Sequence, residues 1–139
     1  MPFPGVGRPT LSGMTSTPDV TAERRQALGR YGERVAARHL AEQGMILLDR
    51  NWRCEAGEID LVLREGPVLV VCEVKTRVSD SCGTPHESIT ADKLERLQRL
   101  ALLWAETHGI APAETRIDLV AVYHQPRGAA LVEHVPGLV

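Results

Sequence analysis

Two apolar runs separated by a short turn constrain the fold of this 139-residue chain most strongly. Residues 58–63 and 68–76 are rich in Val, Leu and Ile, and the tetrapeptide between them, Arg64-Glu65-Gly66-Pro67, contains residues typical of turns. Two strand-like runs joined by so short a connection pair antiparallel. The centre of the chain is therefore predicted to form a β-hairpin.

Helical and extended patterns surround this hairpin. Apolar residues at helical spacing predict helices over residues 21–43 and 90–108, the second of them capped by Thr90. Short apolar runs predict further strands at residues 45–48, 117–123 and 130–135. The resulting order, α-β-β-β-α-β-β, indicates an α/β domain with a mixed β-sheet flanked by helices.

Composition separates a tail from a domain. Residues 1–20 contain four prolines and three glycines among Ser and Thr, which predicts a disordered N-terminal tail. The chain as a whole is 43% hydrophobic and 24% charged, as in an ordinary globular protein. Residues 21–139 are therefore expected to form a single domain.

Charge and hydropathy exclude several classes of protein. Sixteen Lys and Arg against eighteen Asp and Glu give a net charge of −2, which excludes a histone-like binder of nucleic acid. No apolar run approaches the ~20 residues of a membrane span. Nothing at the N-terminus resembles a secretion signal, so a cytoplasmic protein without membrane contact is expected.

Three cysteines, Cys54, Cys72 and Cys82, are expected to be reduced thiols in such a compartment. A zinc site of Cys54, Cys82 and His86 is a weak alternative, because four ligands at standard spacing are missing.

Acidic residues lie in both strands of the predicted hairpin. Side chains alternate along a strand, so Glu73 and Lys75 share one face, and Glu58 and Asp60 share one face of the partner strand. A turn centred on Glu65 and Gly66 would place Glu58 opposite Glu73, with Asp60 at a diagonal distance of ~7–8 Å. A shift of two residues would place Asp60 directly opposite Glu73, and a shift of one would separate the two sets.

The hydrophobic pattern favours a register in which the acidic residues share a face. It places all the following apolar residues together on the other face: Ile59, Leu61, Leu63, Val68, Val70, Cys72 and Val74. Carboxylates this close repel one another and raise each other's pKa. Lys75 offsets part of this repulsion, and a divalent cation, Mg²⁺ or Mn²⁺, would offset more. The combination suits metal-assisted hydrolysis of phosphodiesters.

The pattern Gly-x-x-Asp followed by Glu-x-Lys, after a helix bearing Gly32-Glu33, resembles the PD-(D/E)XK nuclease superfamily, which includes archaeal Holliday-junction resolvases. More closely, the chain resembles the YraN-type family of bacterial proteins over about residues 24–124. The matching stretches are Gly29 to Glu33, Ala36, Leu40, Gly44, Asn51, Arg53, Gly57 to Val62, Val71 to Arg77, Lys93 and Arg116 to Asp118.

This resemblance implies a restriction-endonuclease-like fold and assigns a role to each matching residue. Asp60 and Glu73 would be catalytic metal ligands, Lys75 the catalytic lysine, and Glu33 a helix acid that completes the catalytic and metal site. The Val74 carbonyl would be a further metal ligand. Substrate-binding roles would fall to Glu58, Thr76, Arg77 and Lys93.

The implied activity is that of a Mg²⁺- or Mn²⁺-dependent endonuclease acting on DNA, including branched or recombination intermediates. A homodimer is compatible with it, because junction-cleaving relatives usually act as dimers. One alternative is a nuclease-fold module that binds nucleic acid or protein with weak or no catalysis. Another is that the acidic residues and Lys75 form only an ion-pair network.

Individual residues also have simpler interpretations. Glu33 would be an ordinary exposed helix acid, and Lys93 a solvated lysine at the start of the second helix. Asp118 is expected to form an internal salt bridge with Arg116, on the same face of a strand. His39 is interpreted as a core or boundary histidine, and Trp104 as a packing residue.

Overall fold

A computed structural model describes residues 16–78 and 89–139 of the chain. Within these ranges the elements are α1 (Ser16–Glu42), β1 (Ile46–Cys54), β2 (Gly57–Glu65), β3 (Val68–Val78), α2 (Ala91–Thr107), β4 (Glu114–His124) and β5 (Leu131–Val135). The predicted order of elements is confirmed. Neither of these helices is both long and apolar enough to cross a membrane.

The five strands form one sheet in the order β1-β2-β3-β4-β5. Adjacent strands are antiparallel except β3 and β4, which are parallel and are connected through α2. A parallel pair needs such a crossover, because a short turn cannot return the chain to the same end of the sheet. The predicted mixed α/β sheet is thus confirmed.

Each helix buries its apolar residues on one face of the sheet. Ala36 and Leu40 of α1 pack with Leu63 and Val70, whereas α2 covers the opposite face. The residues of the α2 cluster include Leu97, Leu100, Trp104, Val71 and Ile117. The sheet is therefore the middle layer of three, and residues on its two faces meet different helices.

Helix α1 lies unusually close to β3 at Gly32. A Cβ atom at this position would collide with Oγ1 of Thr76.

The helix begins at Ser16, five residues before the predicted start, and ends at Glu42 close to Gly44, whose φ is +99°. Glycine adopts that backbone conformation without the steric cost that a Cβ would add.

Strand β1 is longer than the predicted strand at residues 45–48, since it runs from Ile46 to Cys54. It is an edge strand of the sheet, and most of its residues are exposed or partly exposed. A strand that buries so few side chains needs no continuous apolar pattern. Because polar residues such as Asp49 and Asn51 interrupt the apolar pattern, the sequence did not predict the second half of this strand.

The hairpin register differs by two residues from the first one predicted. Glu65 pairs with Val68 and Leu61 with Cys72, so the turn is centred on Gly66 and Pro67 rather than on Glu65 and Gly66. Gly66 has a φ of +59°, and glycine followed by proline suits the two central positions of a II′ turn. The predicted register would have placed Pro67 in the ladder, where it has no N–H to donate.

Ile59 does not share a face with Leu61 and Leu63, and that prediction was wrong. Ile59 packs with the α2 cluster, and Leu61 packs with the α1 cluster. The β2–β3 pairing ends at Leu61, and the next residue, Asp60, accepts a hydrogen bond from Val74 N–H through its side chain. The strict alternation of side chains is therefore interrupted at Asp60.

Candidate metal centre

Asp60 and Glu73 lie close together just beyond the last residue pair of the β2–β3 ladder, Leu61 and Cys72. Both acids line the same cavity. Asp60 Oδ2 accepts a hydrogen bond of 2.8 Å from Val74 N–H, and Glu73 is only 6% exposed. The ladder has the register that the sequence allowed as a shift of two residues.

Crowding of carboxylates changes the acidity of Asp60. Burial, together with the negative charges of Glu73, Glu33 and Glu58, raises the pKa of Asp60 from 3.8 to about 7. The hydrogen bond from Val74 N–H opposes it. Near neutral pH, Asp60 is thus divided between its protonated and ionised forms, and a nearby cation would favour the ionised form.

Two lysines bind the same oxygen of Glu73. Nζ of Lys93 lies 2.6 Å from Oε2 of Glu73, and Nζ of Lys75 lies 3.3 Å from it. Partial burial acts to lower the pKa of Lys93, but its contact with Glu73 raises that pKa above the ordinary value. Lys93 is therefore an ion-pair partner of Glu73 and is not the solvated lysine of the simpler interpretation.

The start of α2 fixes the position of Lys93. Thr90 Oγ1 accepts a 3.1 Å hydrogen bond from Lys93 N–H, which confirms the predicted N-cap. Lys93 lies in the first turn of α2, and its ammonium group reaches Glu73 at the end of the β2–β3 ladder remote from the turn. The second lysine of the site thus comes from a helix that follows β3 in the chain.

Glu33 reaches the site through Asn51. Asn51 Nδ2 donates a 3.0 Å hydrogen bond to Glu33 Oε1, and Asn51 lies between the β1 residues that pair with Ile59 and Leu61. Glu33 is close enough for its charge to raise the pKa of Asp60. It is half-buried and hydrogen-bonded, unlike an ordinary exposed helix acid.

The other predicted substrate-binding residues are more dispersed. Glu58 is exposed and lies 3.5 Å from Arg53 Nε rather than opposite Glu73, so its predicted pairing was wrong. The Thr76 side chain faces Gly32 on the α1 side of the sheet. Arg77 donates a 3.2 Å hydrogen bond to the Thr76 carbonyl. In the described residues, no contact connects Thr76 or Arg77 to the acids.

Two cavities meet at Glu58. One, of about 200 Å³, is lined by Asp60, Glu73 and Lys93 together with Gly57, Glu58, Arg96, Leu97 and Leu100. The other, of about 610 Å³, is lined by Glu33, Asn51 and Glu58 together with Gln26, Gly29, Arg30 and Arg53. The predicted catalytic acids therefore border two cavities that share Glu58 of β2.

The donor atoms of this site fit a hard divalent cation. Asp60 Oδ1 and Glu73 Oε1 make no hydrogen bond or ion pair within the part of the chain that the structure describes. The same residues contain no group of three or more His, Cys, Asp or Glu side chains arranged to hold a metal. Mg²⁺ nevertheless commonly takes one or two protein carboxylates and completes its shell with water and substrate phosphates.

The model of the family described as "Uncharacterised protein family UPF0102" matches residues 32–122, which is more than half of the chain. The chain belongs to the UPF0102 family. This confirms the YraN-type membership that the sequence motifs predicted, and the matched range includes every residue of the candidate site from Glu33 to Lys93.

Similar UPF0102 proteins cover most of this chain. A "UPF0102 protein" of Nocardioides sp. is 59% identical over 122 residues, which are 88% of this chain and 98% of the relative. One from Kineococcus radiotolerans is 56% identical, covering 82% and 94% of the two chains. A third, "UPF0102 protein SCO5602" of Streptomyces coelicolor, is 56% identical over 82% of this chain and 89% of its own.

The sequence assigned no functional role to two residues of this UPF0102 site, Asn51 and Arg96. Asn51 has a φ of +51°, a conformation that asparagine tolerates better than most residues, and it binds Glu33. Arg96 lines the same cavity as Asp60. Its separation of three residues from Lys93 was a usable signal, because residues so spaced share a helix face.

The structure describes two cysteines of this UPF0102 protein, Cys54 and Cys72. Cys54 is exposed and Cys72 is buried, while Cys82 and His86 lie outside the described residues. Burial raises the pKa of the Cys72 thiol well above its ordinary value, so the thiol stays protonated at neutral pH. Cys72 therefore behaves as a small core residue.

Proposed function

We propose that this protein is a Mg²⁺- or Mn²⁺-dependent nuclease that hydrolyses phosphodiester bonds of DNA, including branched intermediates. The observation that carries the proposal is that two acids, Asp60 and Glu73, line one cavity at the open end of a hairpin, with Lys75 beside Glu73. Asp60 and Glu73 would hold the cation. A divalent ion bound there would supply charge stabilisation to the phosphodiester and acidify an attacking water.

The protein residues have separate roles in this proposal. Val74 N–H orients the Asp60 carboxylate, so that Oδ1 remains available for the cation. The Lys75 ammonium group stabilises negative charge that develops on the phosphate. Glu33, held by Asn51, adds negative charge near Asp60 and so strengthens the attraction for a cation.

A cleavage assay tests this function. Purified wild-type protein is incubated with four-way-junction, single-stranded and linear duplex DNA in the presence of Mn²⁺. Lys75→Met is expected to lower the cleavage rate by about 100-fold or more, as does removal of other electrostatic groups of active sites. Glu73→Gln should act similarly because it removes a ligand charge.

The matched control is Glu95→Gln, an exposed acid of α2 outside both cavities, which should cleave like the wild type. Cleavage that persists unchanged in the Lys75→Met and Glu73→Gln proteins would mean that another nuclease is present in the preparation. The proposal would then lose its support.

A second candidate is a nucleic-acid- or protein-binding module without hydrolysis. The double ion pair of Glu73 favours it, because Lys75 and Lys93 already neutralise one ligand oxygen. Wild-type protein that binds DNA without Mn²⁺ and leaves every substrate intact with Mn²⁺ would identify this module rather than an enzyme.

A further inference from the structure

Three arginines from three different elements border the candidate metal centre. Arg30 of α1 and Arg53 of β1 line the 610 Å³ cavity, and Arg96 of α2 lines the 200 Å³ cavity. Glu58 belongs to both cavities, and α1 and α2 lie on opposite faces of the sheet. Arginines therefore approach this segment of β2, which carries Asp60, from both faces of the sheet.

The aliphatic stem of Arg96 lies over Gly57. Its Cδ lies 3.4 Å from where a Cβ of Gly57 would stand, and Gly57 has a φ of +144°, which strongly favours glycine. The residue is exposed, and its guanidinium makes no hydrogen bond or ion pair over residues 16–78 and 89–139. A positive charge without a counter-ion thus lies beside a cavity lined by carboxylates.

The arginines of the second cavity also retain free donors. Arg53 meets Glu58 at 3.5 Å through Nε alone, and its side chain is 77% exposed. Such an exposed pair is weak, and a guanidinium carries five N–H donors. Arg30 is exposed and makes no polar contact within the described residues. Both arginines can therefore take an anionic ligand without disturbing the core.

Phosphate is the ligand chemistry that these side chains fit, because the planar guanidinium donates two parallel hydrogen bonds to phosphate oxygens. A terminal phosphate or a mononucleotide would need cations on only one side of the reacting centre. A continuous strand carries a phosphate on each side of an internal phosphodiester. Arginines on both faces of the sheet at the β2 segment that carries Asp60 therefore match a strand that crosses the site.

We propose that Arg30 and Arg53 on one side, and Arg96 on the other, bind the phosphates that flank the reacting phosphodiester. The substrate is accordingly an uninterrupted polynucleotide strand, and these arginines are positioning residues for it. This proposal rests on the proposed nuclease function. It adds the path of the polynucleotide, which runs from the cavity between α1 and β1 across β2 to the start of α2.

Binding of a fluorescent single-stranded oligonucleotide, measured by anisotropy in Ca²⁺ at several salt concentrations, tests the strand path. Ca²⁺ occupies carboxylate sites but is a poor substitute for Mg²⁺ where strict octahedral geometry is required. Arg53→Gln and Arg96→Gln should each weaken binding several-fold. Each should also reduce the slope of log K against log salt by about 0.7, the value for one phosphate contact to a single strand.

Two matched controls come from the same elements. Arg50→Gln on β1 and Arg99→Gln on α2 remove an equal charge from exposed residues outside both cavities. They should leave the salt slope close to that of the wild type. Glu58→Gln should tighten binding, because it removes the carboxylate that Arg53 faces.

Hydrolysis of bis(p-nitrophenyl) phosphate in Mn²⁺ separates strand binding from chemistry. The Arg53→Gln and Arg96→Gln variants should raise KM for the oligonucleotide several-fold and should affect hydrolysis of the small diester far less, because that substrate has no flanking phosphates. Equal binding by these variants and their controls, or a parallel loss of small-diester hydrolysis, would overturn the strand path and leave the nuclease function standing. A wild-type protein that neither cleaves the oligonucleotide nor hydrolyses the small diester would overturn the nuclease function itself.

Discussion

At the scale of single residues, Asp60 combines a buried carboxylate with three acidic neighbours. Its pKa of about 7 in the folded chain exceeds the value of 3.8 that applies to an unfolded one. Between these two values the folded protein binds more protons than the unfolded chain. Asp60 therefore favours folding in acid, and this contribution is lost as the pH rises through about 7.

This difference predicts the pH dependence of an Asp60→Asn variant without metal. Asparagine still offers an oxygen to Val74 N–H but carries no charge, so the loss of stability between about pH 4 and pH 7 should shrink. At pH 8 the variant should exceed the wild type by at most about 4 kcal/mol, since one pKa unit is worth about 1.4 kcal/mol. Urea denaturation across this pH range measures the effect.

The control for this experiment is Glu58→Gln, an exposed acid for which only a small change is expected. Stability curves of Asp60→Asn and wild type that run parallel from pH 4 to pH 8 would show that Asp60 has an ordinary acidity. The effects of burial and of the acidic neighbours on Asp60 would then be much weaker than the geometry indicates.

At the scale of secondary-structure elements, the site depends on how closely α1 approaches β3. Gly32 allows that approach, because the Thr76 side chain occupies the space that a Cβ would need. Glu33, the next residue, is thereby brought within reach of Asn51. The packing of one helix against one strand thus sets the position of an acid at the site.

Substitution of two glycines in α1 tests this packing. Gly32→Ala should cost about 1–3 kcal/mol of stability, the usual penalty for overfilling a packed interface. Gly29→Ala should stabilise the protein by up to about 1 kcal/mol, because nothing lies within 4 Å of the added methyl and alanine favours helices. Thermal denaturation of both variants gives the comparison, and stabilisation by both substitutions would contradict the close approach of α1.

Local sequence patterns predicted the position of α2 but not the register of the β2–β3 hairpin. The Leu, Ala and Trp spacing of α2 predicted its buried face, and Thr90 predicted its start, because both signals are local. The hairpin register could not be read from the apolar pattern, which repeats every two residues and allows shifts by two. The face of Ile59 was also hidden, since a side-chain hydrogen bond at Asp60 interrupts the alternation.

At the scale of the whole molecule, a buried polar network holds the last strands together. Asp118 of β4 is fully buried and binds Arg116 through contacts of 2.8 and 3.0 Å, which confirms the predicted salt bridge. It also accepts hydrogen bonds from Gly137 N–H at 3.0 Å and contacts His134 Nε2 at 2.8 Å. One carboxylate therefore connects β4, β5 and the segment that follows.

Loss of this carboxylate should weaken the whole fold. Burial acts to raise the pKa of Asp118, but the hydrogen bonds from Arg116, Gly137 and His134 lower it below 3.8. Its stabilising effect is thus present above about pH 4 and lost only at lower pH. At pH 7, Asp118→Asn should cost about 3 kcal/mol, because it leaves Arg116 without its buried partner.

Glu65→Gln provides the comparison, because Glu65 binds the same Arg116 at 2.8 Å but its side chain is 44% exposed. That substitution should cost less than about 1 kcal/mol in the same urea denaturation experiment. Equal losses in the two variants would mean that the network contributes through the charge of Arg116 alone and not through its buried hydrogen bonds.

Residue spacing alone predicted only the parts of the candidate site that are close in sequence, and the family resemblance was needed to add Glu33 and Lys93. Asp60, Glu73 and Lys75 come from one hairpin, so short spacings and alternation bring them together. Lys93 belongs to α2 and Asn51 to the edge strand β1. Their contacts with the site depend on long-range packing that no local sequence pattern encodes. For the same reason, the sequence did not connect Arg96 with the acids of β2 and β3.

Thermal unfolding with increasing Mn²⁺ tests whether Asp60 and Glu73 form a divalent-cation site. A ligand that binds only the folded state raises the unfolding temperature as its concentration exceeds Kd. The wild-type protein should be stabilised by millimolar Mn²⁺ at pH 8. Asp60→Asn and Glu73→Gln should lose that response, whereas Glu95→Gln should keep it. An unfolding temperature of the wild type that does not change with Mn²⁺, or that rises equally in all four proteins, would contradict a cation site formed by these two acids.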